Sequence, residues 1–255
     1  MWLEFDLHKR TTAGTAGAKT DFRTALPGDP MNRPRVHFWD MDHTLINNDC
    51  DVSWKEFLIA GGWAPPGDRA QIEFFFNQYL AGRLDHDAFM AFQLREFAGQ
   101  TPAAMRALAL RHYRDVVRAR IYPDGLRLVQ EQQRAGDCVA LLTATNRLLA
   151  EPLAQRYGFD LLVATELEQD AAGRFTGRLA GIYCGREGKV PHLEAACRRL
   201  GVDPAAVSYY GDSSSDLHVL RRVGHPVVVN AMPALRAEAE RCGWPALRFR
   251  LPDNN

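Results

Sequence analysis

Apolar runs of strand length alternate along the chain with helical stripes. "RVHFW" (35–39), "CVALL" (138–142), "LLVA" (161–164), "VSYY" (207–210) and "PVVV" (226–229) are short and rich in valine, leucine and aromatics. That is the composition of strands buried on both faces of a parallel sheet. Between them the apolar positions take a helical period. Val190, Leu193, Cys197 and Leu200 share one face of 190–200, and Leu217, Leu220 and Val223 share one face of 215–223. Strand, helix, strand in this order predicts an α/β fold built on a doubly wound parallel sheet.

Two stretches break the alternation. From about 52 to 120 there is no strand pattern, only stripes such as Met90, Leu94, Phe97 and Met105, Ala109, Tyr113. This predicts an all-helical cap over 51–119, inserted after the first strand, with the core made of 31–50 and 120–250. The aromatics of "IEFFFNQYL" read first as the core of that bundle, and as an alternative some of them line a ligand pocket. The second break, "LEQDAAGRFTGRLAG" (167–181), is a glycine-punctuated alternation that predicts a β-hairpin. Residues 1–30, with "TTAGTAGAKT" and "LPGDP", lack apolar periodicity and read as a disordered extension, with Met31 a candidate start and an ordered arm as the alternative.

Composition narrows the function classes. Of 255 residues 46% are hydrophobic and 24% charged, enough apolar surface for one large soluble domain or a domain with an insertion. Lys plus Arg and Asp plus Glu both number 31, so no broad basic field draws in nucleic acid. No apolar run approaches the roughly 20 residues that cross a bilayer. Neither a membrane nor a nucleic acid is an expected partner. The five cysteines are scattered, without a Cys-x-x-Cys or His-x-x-x-His spacing, which indicates neither a disulfide framework nor a zinc site and fits a reducing cytoplasm.

The candidate chemistry lies where the strands end. In a parallel sheet all C-terminal ends share one edge, where ligands bind. Asp40 and Asp42 follow the first strand, Thr143 the second, and "GDSSSD", with Asp212 and Asp216, the fourth; Lys189 opens a helix after the hairpin. Taken singly, the aspartates fit turn or cap positions and Thr143 a strand end. Lys189 fits less well, because a cation in the first turn of a helix opposes its dipole. Together they form a set suited to phosphoryl transfer. Asp40 and Asp42, at i and i+2 of an extended segment, address one substrate as nucleophile and proton donor. A magnesium ion on Asp40 and Asp212 cancels the repulsion between carboxylates and phosphate, while Lys189 and Thr143 orient phosphoryl oxygens.

"DMDHTL", "LLTATN", "GK" and "GDSSSD", in this order, resemble the four signature motifs of the haloacid dehalogenase superfamily, and the helical insertion after the first resembles its phosphoserine phosphatase-like branch. The resemblance covers residues 33–247. It implies a magnesium-dependent phosphatase acting on a small phosphomonoester through an aspartyl-phosphate: Asp40 attacks, Asp42 protonates the leaving group and then activates water, and Thr143 and Lys189 bind the phosphoryl group. It also implies Mg²⁺ ligation by Asp40, the backbone carbonyl of Asp42, and Asp212, with Asp216 in support. Candidate substrate contacts are Asp49, where those enzymes usually place a glutamate, Ala144 and Asn146 of "TATN", where they have a serine and two glycines, and Arg95. Arg83 and His86 are further charged cap residues. Phosphoserine, histidinol phosphate and other small esters stay open as substrates, and no oligomeric state is signalled.

Rival readings are weaker. An EF-hand reading of "DMDHTLINNDCD" has Leu45 where the loop needs glycine and Asp51 where it needs a bidentate glutamate. A P-loop reading of "GREGKV" has Tyr183 for its first glycine and Val190 for its Ser or Thr. A phosphotransferase, or a non-catalytic phosphate-sensing protein on the same fold, are the remaining alternatives.

Overall fold

The computed structural model describes residues 34–252; the expectation for residues 1–30 lies outside the described residues. The chain runs β1 (Val36–Trp39), α1 (Cys50–Ala60), α2 (Asp68–Leu80), α3 (His86–Leu94), α4 (Pro102–His112), α5 (Pro123–Arg134), β2 (Cys138–Asn146), α6 (Arg147–Tyr157) and β3 (Leu161–Thr165). It continues through β4 (Leu167–Gln169), β5 (Phe175–Leu179), α7 (Lys189–Leu200), β6 (Val207–Gly211), α8 (Leu217–Leu220), β7 (His225–Val229), α9 (Pro233–Cys242) and β8 (Ala246–Leu247).

Six strands form one sheet in the order β3-β2-β1-β6-β7-β8, every pair parallel. The chain winds outward from β1 to β3, then crosses back to β6 and winds the other way. This is the doubly wound sheet that the strand pattern predicts. Residues alternate between two apolar layers: Trp39, Leu141 and Tyr210 face α5 and α6 with Val129 and Leu153, whereas Phe38, Leu142 and Tyr209 face α7, α8 and α9 with Leu193, Val219 and Leu235. Trp39 stacks on Tyr210 with ring centroids 3.8 Å apart. Gln132 joins the pair, accepting from Trp39 Nε1 and donating to Tyr210 Oη, each at 3.0 Å. Each ring buries its apolar body while its polar handle stays bonded.

Between β1 and β2 the chain is helical from α1 to α4, and its own apolar cluster (Trp54, Leu58, Phe97, Met105) packs on Leu148 and Leu149 of α6. The chain enters and leaves this segment at one neck. Ile46 and Ile121 pair antiparallel, Asn47 N donates to Arg120 O (2.8 Å), and Tyr122 N donates to Leu45 O (3.0 Å). The predicted hairpin is present as the antiparallel pair β4–β5. Its Phe175 exchanges backbone hydrogen bonds with Gly99 and Gln100 of the helical segment. Gly177, at φ +80°, lies so close to Ala98 that a Cβ there would sit 3.1 Å from the Ala98 methyl.

Three boundaries differ from the pattern. β2 runs four residues past "CVALL" to Asn146, since a bulge after Leu142 restores its pairing with β3 at Thr165. The helix expected over 215–223 is shorter, because Ser214–Asp216 form a 3₁₀ turn before α8. The edge strand β8 is two residues long and has no apolar run that announces it.

Candidate active site

The register of the sheet sets the floor of the site. Trp39 is level with Leu141 on one side and with Tyr210 on the other, so Asp40 and Asp212, just past β1 and β6, come to one edge with Thr143, which lies inside the extended β2 and not after it. Asp40 N donates to Tyr210 O at 2.9 Å, which ties the first aspartate to its neighbouring strand. After β1 the chain turns sharply, with His43 in the left-handed region at φ 56°. Asp42 Oδ1 accepts from Cys50 N (3.0 Å), and Thr145 Oγ1 donates to Asp42 Oδ2. This holds the second carboxylate at the start of α1.

Lys189 closes the floor. It is 2% exposed, and its Nζ donates to Asp40 Oδ1 (2.7 Å), Asp216 Oδ1 (2.6 Å) and Tyr209 Oη (2.8 Å). Burial opposes its charge, but Asp216 and Asp40 outweigh that and hold its pKa above the ordinary lysine value. Gly188 is needed beside it, because a Cβ there would lie 2.1 Å from Tyr183 O. Asp216 is fully buried: Oδ1 also accepts from Tyr209 Oη (2.7 Å), and Oδ2 accepts from Asp212 N (3.2 Å) and Ser213 N (3.4 Å). Gly211 lets this loop close, since a Cβ at that position would lie 2.6 Å from Asp216 Oδ2.

Asp40, Asp212 and Asp216 each offer a carboxylate oxygen, all within 4.8 Å of one another. Burial pushes Asp40 up to about 7 against the pull of Lys189, with Asp216 adding to the rise. Asp212 is held well above the usual carboxylate range by burial, then by Asp216 and Asp40. One ammonium for three buried carboxylates leaves negative charge in excess, and the donors are hard oxygens. The set fits a divalent cation of the magnesium type. Burial also pushes Asp42 up to about 7, with Asp49 as the second cause.

A cavity of about 320 Å³ lies above this floor. Asp40, Asp42, Thr143, Ala144, Lys189 and Asp212 line it from the sheet edge, Asp49 and Asp51 from the start of α1, and Phe75, Tyr79, His86, Phe89 and Gln93 from α2 and α3. The expected aromatic core of the insertion is thus only part of the picture, since Phe75 packs on Phe89 and Phe92 and also faces the cavity. Asp49 also caps α1, its Oδ1 accepting from Val52 N at 3.0 Å.

Two expected contacts lie elsewhere. Arg95 does not line the cavity; its guanidinium pairs with Asp68 and Glu96, which are nearer and satisfy its planar fork. Asn146 is buried as the N-cap of α6, its Oδ1 accepting from Leu149 N at 3.4 Å. Of the other charged residues, Arg83 is exposed and His86 lines the cavity. Sequence reasoning missed Thr145, Tyr209, Asp51 and Gln93. Thr145 stands two residues after Thr143 in an extended strand, and that i, i+2 spacing was a usable signal; the others carry none.

Comparison with known proteins places this geometry. The profile of the haloacid dehalogenase-like hydrolases matches residues 37–221. The chain is 33% identical over 216 residues to a histidinol-phosphatase of Neisseria meningitidis serogroup C, spanning 83% of this chain and 97% of that one. The crystal structure of a protein of unknown function from Bordetella pertussis Tohama I superposes with a TM-score of 0.78 at 31% identity, over 84% of this chain and 99% of the other. A substrate-bound phosphoserine phosphatase complex shares the fold at TM-score 0.64 and 15% identity, over 85% and 93% of the two chains. The chain belongs to the haloacid dehalogenase-like hydrolase family.

Proposed function

We propose that the protein is a magnesium-dependent phosphatase that hydrolyses a small phosphomonoester through an aspartyl-phosphate on Asp40. The observation that carries this reading is the arrangement at the end of β1: Asp40 bonded to Lys189 and Asp42 anchored two residues on, both lining one cavity. In the first step an Asp40 oxygen attacks phosphorus, the ester P–O bond breaks, and the leaving alkoxide takes the proton of Asp42. A carboxyl held at about 7 carries that proton near neutral pH. In the second step Asp42 takes a proton from water, the oxygen attacks phosphorus, and phosphate leaves Asp40 free. Thr143 orients the phosphoryl oxygens in both steps, and Lys189, whose three protons go to Asp40, Asp216 and Tyr209, stabilises them through its charge. Asp40, Asp212 and the Asp42 carbonyl would hold Mg²⁺, with Asp216 in support, and the ion would supply the charge that lets a phosphate dianion meet these carboxylates.

Residues 51–119 act as the cap that selects the ester. A cavity of about 320 Å³ walled by α2 and α3 suits a small molecule better than a folded phosphoprotein. The kinship to a histidinol-phosphatase puts amino-alcohol phosphates first on the panel, with phosphoserine beside them. A reducing cytoplasm is the proposed location, supported by five free thiols, four of them buried. Among the described residues, no helix is long and apolar enough to cross a membrane.

The test is hydrolysis of an aryl phosphate by wild type and Asp40→Asn, each with Mg²⁺ and with EDTA. Activity confined to metal-loaded wild type supports the reading. Turnover surviving in Asp40→Asn would remove Asp40 as nucleophile, and turnover surviving EDTA would remove the metal.

A further inference from the structure

The helical side of the cavity carries polar groups that the phosphatase mechanism does not use. His86, Phe89 and Gln93 of α3 all line it. Their spacings of three and four residues put them on one face of the helix, along two turns. Two of the three have a polar atom without a partner. Gln93 is 4% exposed, and among the described residues its Oε1 has no hydrogen-bond donor. His86 Nε2 lies 2.7 Å from Arg186 Nη1; a guanidinium only donates, so Nε2 accepts and the proton sits on Nδ1. That Nδ1 is also buried and, among the described residues, without a partner.

A buried amide oxygen without a donor has given up water and gained nothing in exchange, which is rare in a folded protein. Gln93 lines the cavity, and its terminal amide, which turns freely about its last torsion, brings that oxygen to a ligand that donates a hydrogen bond. Charge narrows the donor. Asp49 and Asp51 line the same cavity, and Asp51 faces both Asp49 and Asp42. Lys55, the cation that acts on Asp51, is already bound to Phe92 O (2.7 Å) and Glu96, and Arg186, which lines the cavity, is engaged by His86 and Glu187. The surroundings therefore favour a donor on a positively charged group over a neutral hydroxyl. Phe89 and Phe75 add apolar and π surface on which a carbon skeleton or a cation rests.

We infer that Gln93 is a specificity-determining residue for the alcohol portion of the substrate, its Oε1 accepting a hydrogen bond from a nitrogen of a cationic leaving group that packs on Phe89. This rests on the phosphatase reading above, in which the phosphoryl group occupies the sheet edge and the alcohol portion extends toward α3. The class of substrate is a phosphate ester of an amino alcohol, and a polyol phosphate with hydroxyls alone is disfavoured.

The experiment compares wild type, Gln93→Met and Gln93→Glu on histidinol phosphate, on its isostere with carbon in place of the nitrogens, on glycerol phosphate and on an aryl phosphate. Wild type is expected to favour the nitrogen ester over its isostere. In Gln93→Met that preference falls on the order of tenfold, mainly through KM, while Gln93→Glu, which keeps an acceptor, retains it. A second arm measures binding of histidinol itself by calorimetry, with weaker binding to Gln93→Met expected. An unchanged preference in Gln93→Met, equal losses on all esters, wild type favouring glycerol phosphate, or no difference in histidinol affinity overturns the inference. Wild type that binds histidinol through Gln93 yet hydrolyses no ester overturns the phosphatase reading and leaves the subsite standing.

Discussion

Lys189 Nζ, at the first turn of α7, lies 2.7 Å from Asp40 Oδ1 at the end of β1. The same ammonium is 2.6 Å from Asp216 Oδ1. One buried cation thus spans the residue expected to react and the residue expected to support the metal, and its loss is felt twice. Lys189→Met should lower kcat/KM on an aryl phosphate on the order of 10²–10³-fold. It should also destabilise the fold by about 3–5 kcal/mol, because buried carboxylates lose their partner. Kinetics and urea denaturation read the two effects separately; activity within a few fold of wild type would count against a phosphoryl-binding role.

Asp42 owes its raised pKa of about 7 first to burial and then to the charge of Asp49. The protonated form is the one needed in the first step, so activity falls as pH rises through that value. Asp49→Asn keeps the α1 cap and removes a negative charge. The Asp42 pKa then drops and the alkaline limb of the kcat/KM profile moves to lower pH. A limb that stays in place would separate Asp42 from the acid role.

Magnesium should stabilise the protein, and more at pH 8 than at pH 6. Protons compete for the buried carboxylates of Asp40 and Asp212, whose pKa values are raised, and a metal binds only their ionised forms. Melting curves with Mg²⁺ and with EDTA at the two pH values measure this. Identical shifts, or none, would speak against the assigned ligands.

His112 sits beneath α1, 1% exposed, its Nε2 2.9 Å from Ser53 Oγ. Burial lowers its pKa from 6.5 to about 4. Between those values the unfolded chain binds a proton that the folded one refuses, so stability is present above 6.5 and lost as pH falls toward 4. The loss is on the order of 2–3 kcal/mol. His112→Gln should flatten that decline in urea titrations at pH 7 and pH 4.5. An equally steep decline in the variant would place the acid sensitivity elsewhere.

The sheet was legible because strands buried on both faces leave continuous apolar runs, and because parallel strands bring their C-terminal residues to one edge. Asp40, Asp42, Thr143, Lys189 and Asp212 meet at the cavity floor for that reason. Ala144 and Asp49 line the cavity as well, by the same proximity to strand and helix starts. Arg95 and Asn146 do not, since each is satisfied locally, one by acids and one by the helix it caps. Gln93 was invisible in sequence. A glutamine on a helix reads as surface, and only the packing of α3 over the sheet edge shows that its oxygen is buried and, among the described residues, has no donor. Tyr209 reads as ordinary core until its hydroxyl is seen bonded to Lys189 and Asp216.

The neck at Ile46 and Ile121 makes the two ends of the helical segment neighbours, held by backbone bonds to each other. An insert whose ends already meet can change length at little cost in chain entropy. The pair is therefore a graft point. The stretch between Asn47 and Arg120 is expected to be exchangeable for that of a relative, with the hairpin β4–β5 carried along because Phe175 is bonded to its Gly99 and Gln100. Such a chimera would keep the reaction and inherit a new clientele.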